Sequence, residues 1–200
     1  MRALVALVCL LIPTLLSAQT PERPGGSVIQ HPNTTYASVP GMDFLGDESA
    51  TYRFAWALRA AADSAHHITP AFRGPARVLN ALGDDGVSPE RVHLAIVAQG
   101  PAAMAMLDDE AYRRLHGIDN PNLPLLEELR DHGVLLVVCG QTMVGRGMER
   151  ADFPDWVQVS RAAPVARAPL AAQGYVVKPF WYGGPVRGAT GGPRRPGLFG

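Results

Sequence analysis

The chain has 200 residues, 47% of them hydrophobic, which suits one domain with a sizeable core. Eighteen Lys and Arg balance eighteen Asp and Glu, and a formal charge of zero argues against the basic face of a dedicated nucleic-acid binder. Two cysteines exclude a disulfide scaffold, and 21 Gly with 18 Pro point to loops or tails.

The N-terminus opens with Met1-Arg2, continues through an apolar run from Ala3 to Ile12, and reaches the small residues Ser17 and Ala18. A basic start, a short apolar stretch and small residues at its end describe a secretory signal peptide over residues 1–18. The run is shorter than the roughly 20 residues of a transmembrane helix. An uncleaved N-terminal anchor is the alternative. Cleavage after Ala18 places the mature protein in the periplasm or outside the cell, free of the membrane. It also removes Cys9 and leaves Cys139 alone. A lone cysteine in an oxidising compartment is buried and inert, paired between chains, or reactive.

Residues 19–48 contain Pro-Glu-Arg-Pro-Gly-Gly, His31-Pro32-Asn33 and Val39-Pro40-Gly41 without periodicity, and read as an extended lead-in. Asn33-Thr34-Thr35 fits a glycosylation sequon, a pattern that often arises by chance. Tyr52, Phe54, Trp56 and Leu58 then alternate with smaller or polar residues, predicting a first strand. Phe72, Val78, Leu79 and Leu82 follow at near-helical spacing, with Gly83 as a stop. The continuous apolar run Val92–Ala98 predicts a second strand buried on both faces, as in a parallel sheet.

Gln99-Gly100-Pro101 breaks that strand, and helical segments are expected over Ala102–Leu107 and Asp108–His116. The acidic run Asp108-Asp109-Glu110 suits capping and the dipole of a helix start. Asn120-Pro121-Asn122 predicts a turn. Asn122 is a candidate N-cap for a helix carrying Leu123, Leu126 and Leu129, and Gly133 ends that helix. Val134–Val138 is the clearest strand and runs into Cys139-Gly140-Gln141-Thr142, with Thr142 a candidate cap of a short helix through Met148. Trp156–Val159 and Tyr175–Val177 predict two more strands. The Ala-rich stretch between them predicts a helix that Pro169 should kink or shorten. Residues 181–200 are a Gly-, Pro- and Arg-rich tail that cannot bury a core of its own. Strands alternating with helices over 49–180 define a single three-layer, doubly wound α/β domain with a mostly parallel five-stranded sheet.

In such sheets ligands gather outside the carboxyl ends of the strands. Gln99, Gly100 and Pro101 lie at one such end; Cys139, Gly140, Gln141 and Thr142 lie at another. A cysteine where a strand gives way to a helix meets free N–H groups that favour the thiolate. The competing reading is an inert cysteine at a strand end. Asn120 is a turn residue that could also line the cleft. His66-His67, His93, His116 and His132 show no metal-ligand spacing, so neither a metal nor another cofactor is expected. Phosphate-loop and serine-elbow patterns are absent from the chain, and Gly145-Arg146-Gly147 is not placed to be a dinucleotide fingerprint.

Five short stretches together resemble the DsrE/DsrF-like family, in particular its small secreted members. They are Arg77-Val78-Leu79-Asn80, Val97 to Ala102, Asp119-Asn120-Pro121-Asn122, Gly133-Val134 leading to Cys139–Thr142, and Gln173-Gly174-Tyr175. The resemblance spans roughly residues 50–178. It implies a compact DsrE/flavodoxin-like sulfur-relay fold that commonly forms homo-oligomers. It also implies a cysteine that holds a persulfide sulfur and passes it to a protein partner or small thiol, and Cys139 stands at the matching position. Two departures matter. The family often has histidine before the Gly-Pro turn, where this chain has Gln99, which cannot titrate or act as a base. Pro169 interrupts the late helix. The expectations are therefore a sulfane-sulfur carrier using Cys139 or, alternatively, a non-catalytic ligand-binding or assembly module in which Cys139 is structural. A redox sensor, the third reading, is weakened by the lack of a resolving cysteine.

Overall fold

The computed structural model describes residues 26–34 and 36–178. The expected signal peptide, Cys9, the start of the lead-in and the C-terminal tail lie outside the described residues. The described residues form five strands: β1 (Tyr52–Leu58), β2 (Val92–Ala98), β3 (Leu135–Cys139), β4 (Gln158–Ser160) and β5 (Val176–Lys178). They form one sheet in the order β4-β3-β2-β1-β5, and every pairing is parallel. The helices are α1 (Arg73–Asp84), α2 (Pro101–Met104), α3 (Asp109–His116), α4 (Leu123–Asp131), α5 (Gly140–Gly145) and α6 (Ala163–Ala172). No helix among the described residues is long and apolar enough to cross a membrane.

The strand order decides where the helices go. β1 to β4 step in one direction across the sheet, and the chain then returns past all of them to place β5 beside β1. Parallel crossovers are right-handed, so reversing direction moves the connecting helix to the opposite face. Accordingly α6 alone makes the return and contacts all five strands. The other face carries the main core, in which Phe72, Leu94, Ile96, Leu125, Leu126, Leu129 and Leu136 are almost wholly enclosed. Beneath α6 lies a thin second core of Ala55, Ala95, Val97, Val137, Cys139, Ala163 and Leu170. Small side chains there let one helix approach the sheet closely.

The lead-in is extended but firmly held. Ile29 is fully buried, and the Asn80 side chain accepts from the N–H groups of Val28 (2.9 Å) and Ile29 (2.6 Å) and donates to Ile29 O (3.1 Å). Glu128 accepts from the N–H groups of Gln30 and His31 at 2.6 and 3.0 Å. Lead-in and domain therefore share one core.

Several sequence expectations are corrected in detail. α1 runs through Gly83 to Asp84, and the positive-φ residue that ends it is Gly86, at φ 82°. Asp108 caps α3 as expected, accepting from Ala111 N at 2.7 Å. Asn122 does not cap α4 with its side chain; its Oδ1 accepts from Thr69 N at 2.7 Å instead, tying the loop after β1 to this turn. α6 continues through Pro169, which forfeits a single N–H bond near the end of a ten-residue helix.

Candidate functional site

β2 and β3 are neighbours, and their register pairs Ala98 with Val138. One residue further on, Gln99 and Cys139 stand side by side at the carboxyl edge of the sheet. β3 also pairs with β4, where Cys139 aligns with Ser160. Cys139 is thus the last strand residue and also the N-cap of α5, with extended φ −80°, ψ 114°. Its side chain points toward α6 and is only 5% exposed.

Burial alone pushes the Cys139 thiol up. It is outweighed by hydrogen bonds from the backbone N–H and hydroxyl of Thr142 and from the backbone N–H groups of Ala163 and Gln141, so the thiol lies below its ordinary range. These donors come from two helix starts, α5 and α6, that converge on one sulfur. Donation to the charged form is what stabilises a thiolate in a site that water barely reaches.

Two glycines make the convergence possible. A Cβ on Gly140 would lie 3.0 Å from Ser160 O and 3.4 Å from Arg161 O, so only glycine lets α5 start this close to the β4–α6 connection. Gly100 has φ 58° and ψ −139°, a conformation open essentially to glycine alone. That conformation aims its N–H at Thr142 Oγ1, 3.0 Å away. The Thr142 hydroxyl accepts from Gly100 and donates to Cys139. It therefore links the loop after β2 to the sulfur after β3.

The residues expected from the sequence divide into two sets. Cys139, Gly140, Gln141, Thr142, Gln99 and Gly100 are brought together at adjacent strand ends, and Pro101 follows as the exposed first residue of α2. Thr142 sits within α5 rather than capping it, and its hydroxyl is a bridge. Asn120 is corrected: it is 2% exposed and structural. Its Nδ2 donates to Ala105 O and Leu107 O, while its Oδ1 accepts from Asn122 N and Nδ2, so no polar position is left for a ligand. Ala163 is the residue the sequence reading missed. It contributes a backbone N–H, which no side chain announces; Pro164 marking a helix start was the available signal. Among the described residues, no group of three or more His, Cys, Asp and Glu side chains is arranged to hold a metal ion.

The architecture is thus a parallel, doubly wound α/β domain with one cysteine held at a strand end by main-chain donors. The family model of the DsrE/DsrF-like family matches residues 45–179, and the chain belongs to that family. Membership suggests a sulfur-relay-like role. Among solved structures, the chain is similar to a protein of unknown function from Methanobacterium thermoautotrophicum. The two share 18% identity over 64% of this chain and 97% of that one, with a TM-score of 0.48. No curated protein matches the chain.

Proposed function

We propose that this protein is a sulfane-sulfur carrier in which Cys139 alternates between thiolate and persulfide. The observation that carries the reading is the set of donors from Thr142, Gln141 and Ala163 converging on one sulfur. In the loading step the Cys139 thiolate attacks the outer sulfur of a donor persulfide or polysulfide. A new S–S bond forms, the donor's S–S bond breaks, and the donor leaves as a thiolate. Unloading reverses this: an acceptor thiolate takes the outer sulfur and Cys139 leaves as thiolate, with no net oxidation. The donors hold the anionic Sγ before loading and after unloading, and in the loaded state the charge lies on the outer sulfur. Gln99 adds no titrating group, so the proton balance rests on donor and acceptor thiols. The expected signal peptide assigns this chemistry to the periplasm or exterior, and homo-oligomers are part of the proposal.

Cys139's 5% exposure supports the second reading, an assembly module whose cleft is filled by another subunit. One experiment separates them. Mature protein is treated with polysulfide and its intact mass recorded, with Cys139→Ala as control. Gain of sulfur that a thiol removes and that the variant lacks supports the carrier. No gain in the folded protein, with alkylation only after unfolding, sinks the carrier and leaves the assembly module.

A further inference from the structure

Away from Cys139, on the side of α5 remote from its first turn, a cavity of about 440 Å³ opens between α2, α3 and the segment after α5. That is within the roughly 300–1,000 Å³ of small-molecule sites. Its apolar wall includes Met104, Leu107, Leu115 and Met148. Two arginines line it, and they differ. Arg114 is neutralised on both sides, by Glu110 (3.1 Å) and by Asp152. Asp152 and Glu149 are engaged further in reciprocal bonds to each other's backbone N–H groups. Among the described residues Arg146 pairs with no carboxylate: its Nη1 reaches the Met104 thioether sulfur at 3.2 Å. A thioether is a weak acceptor, so the remaining guanidinium donors stay free for a stronger one. Gly145 and Gly147 flank Arg146, and a Cβ at either would meet nothing within 4 Å, so the wall on this side is left open.

We propose that this cavity binds a small organic monoanion, with its carboxylate or sulfonate on Arg146 and its apolar body against Met104, Leu107, Leu115 and Met148. The charge and apolar wall are complementary to that class, and methionines adapt to bodies of varied shape. The proposal is independent of sulfur chemistry at Cys139.

The probe is hexanoate, titrated into the full mature protein and followed by backbone amide NMR, with 1-hexanol as the neutral counterpart. Saturable shifts confined to residues 104–115 and 145–152 are expected. Hexanol should bind about tenfold or more weakly, because it lacks the charge-assisted bond. Arg146→Ala should weaken hexanoate by a similar factor, Arg146→Lys by less, and neither should alter binding of hexanol. No saturation, shifts centred elsewhere, hexanol binding as tightly as hexanoate, or unchanged affinity in Arg146→Ala would each overturn the proposal.

Discussion

The two faces of the sheet are built by different rules. One is covered by α1 and α4 with help from α2 and α3, and its core consists of large side chains such as Phe72, Leu125, Leu126 and Leu129. On the other, among the described residues, α6 alone lies over alanines, valines and Cys139. Burial stabilises in rough proportion to apolar area, about 25 cal/mol per Å², so the first face holds the fold together. The second contributes less area but brings backbone close to backbone. Close approach is what delivers main-chain N–H groups to the Cys139 sulfur. The bulk of the core and the proposed chemistry thereby lie on opposite sides of one sheet.

Substitutions on each face test this division. The largest effect is expected for Phe72→Ala in the thick core, a loss of about 3–5 kcal/mol in chemical denaturation, with the reactivity of Cys139 in the remaining folded protein unchanged. Leu170→Ala, under α6, should cost about 2 kcal/mol, near the lower end for a buried leucine, and it should also change the rate of Cys139 alkylation. An equal loss at both positions would refute the contrast in core size. Gly140→Ala pushes a methyl group toward Ser160 O, 3.0 Å away. It should cost about 1–3 kcal/mol as overpacking and should impair sulfur loading more than Leu170→Ala does. Asp108→Ala, remote from the thin face, should remove about 1 kcal/mol of capping and leave sulfur loading intact.

The smallest effects concern charge. Thr142→Val deletes the hydroxyl that bridges Gly100 and Cys139. The midpoint of alkylation against pH should move upward, while Thr142→Ser should restore it. The sign for stability follows from the lowered Cys139 thiol. Its contribution is fully present above the ordinary thiol value of 9.0 and is lost as pH falls through the native value. Stability should therefore rise across that interval in wild type relative to Cys139→Ala. A flat difference between the two proteins would show that the donors do not favour the thiolate.

Much of the domain was legible along the chain. Val92–Ala98 and Val134–Val138 announced central parallel strands because strands buried on both faces need unbroken apolar runs. Their ends marked Gln99, Gly100 and Cys139 as neighbours, since ligands collect where parallel strands stop. The side-chain assignments fared less well. Asn122 and Thr142 had the right chemistry for capping, yet tertiary partners, Thr69 N and Gly100 N, claimed their oxygens. Asn120, a turn residue that could also line the cleft, is instead saturated by four bonds, two from Asn122 and two to the carbonyls of Ala105 and Leu107. A polar side chain bonds to whichever unsatisfied backbone group is nearest, and long-range packing decides which one that is.

The sequence by itself determined the elements, the class of fold, the family and the cysteine on which the proposed chemistry depends, because periodicity and turn residues are local. The tertiary structure alone decided that α6 packs on the face opposite the other helices, that Ala163 offers its N–H to a sulfur 24 positions earlier in the chain, and that Arg146 faces a thioether. Those facts depend on strand order and on the right-handedness of crossovers, which join residues that no local pattern relates.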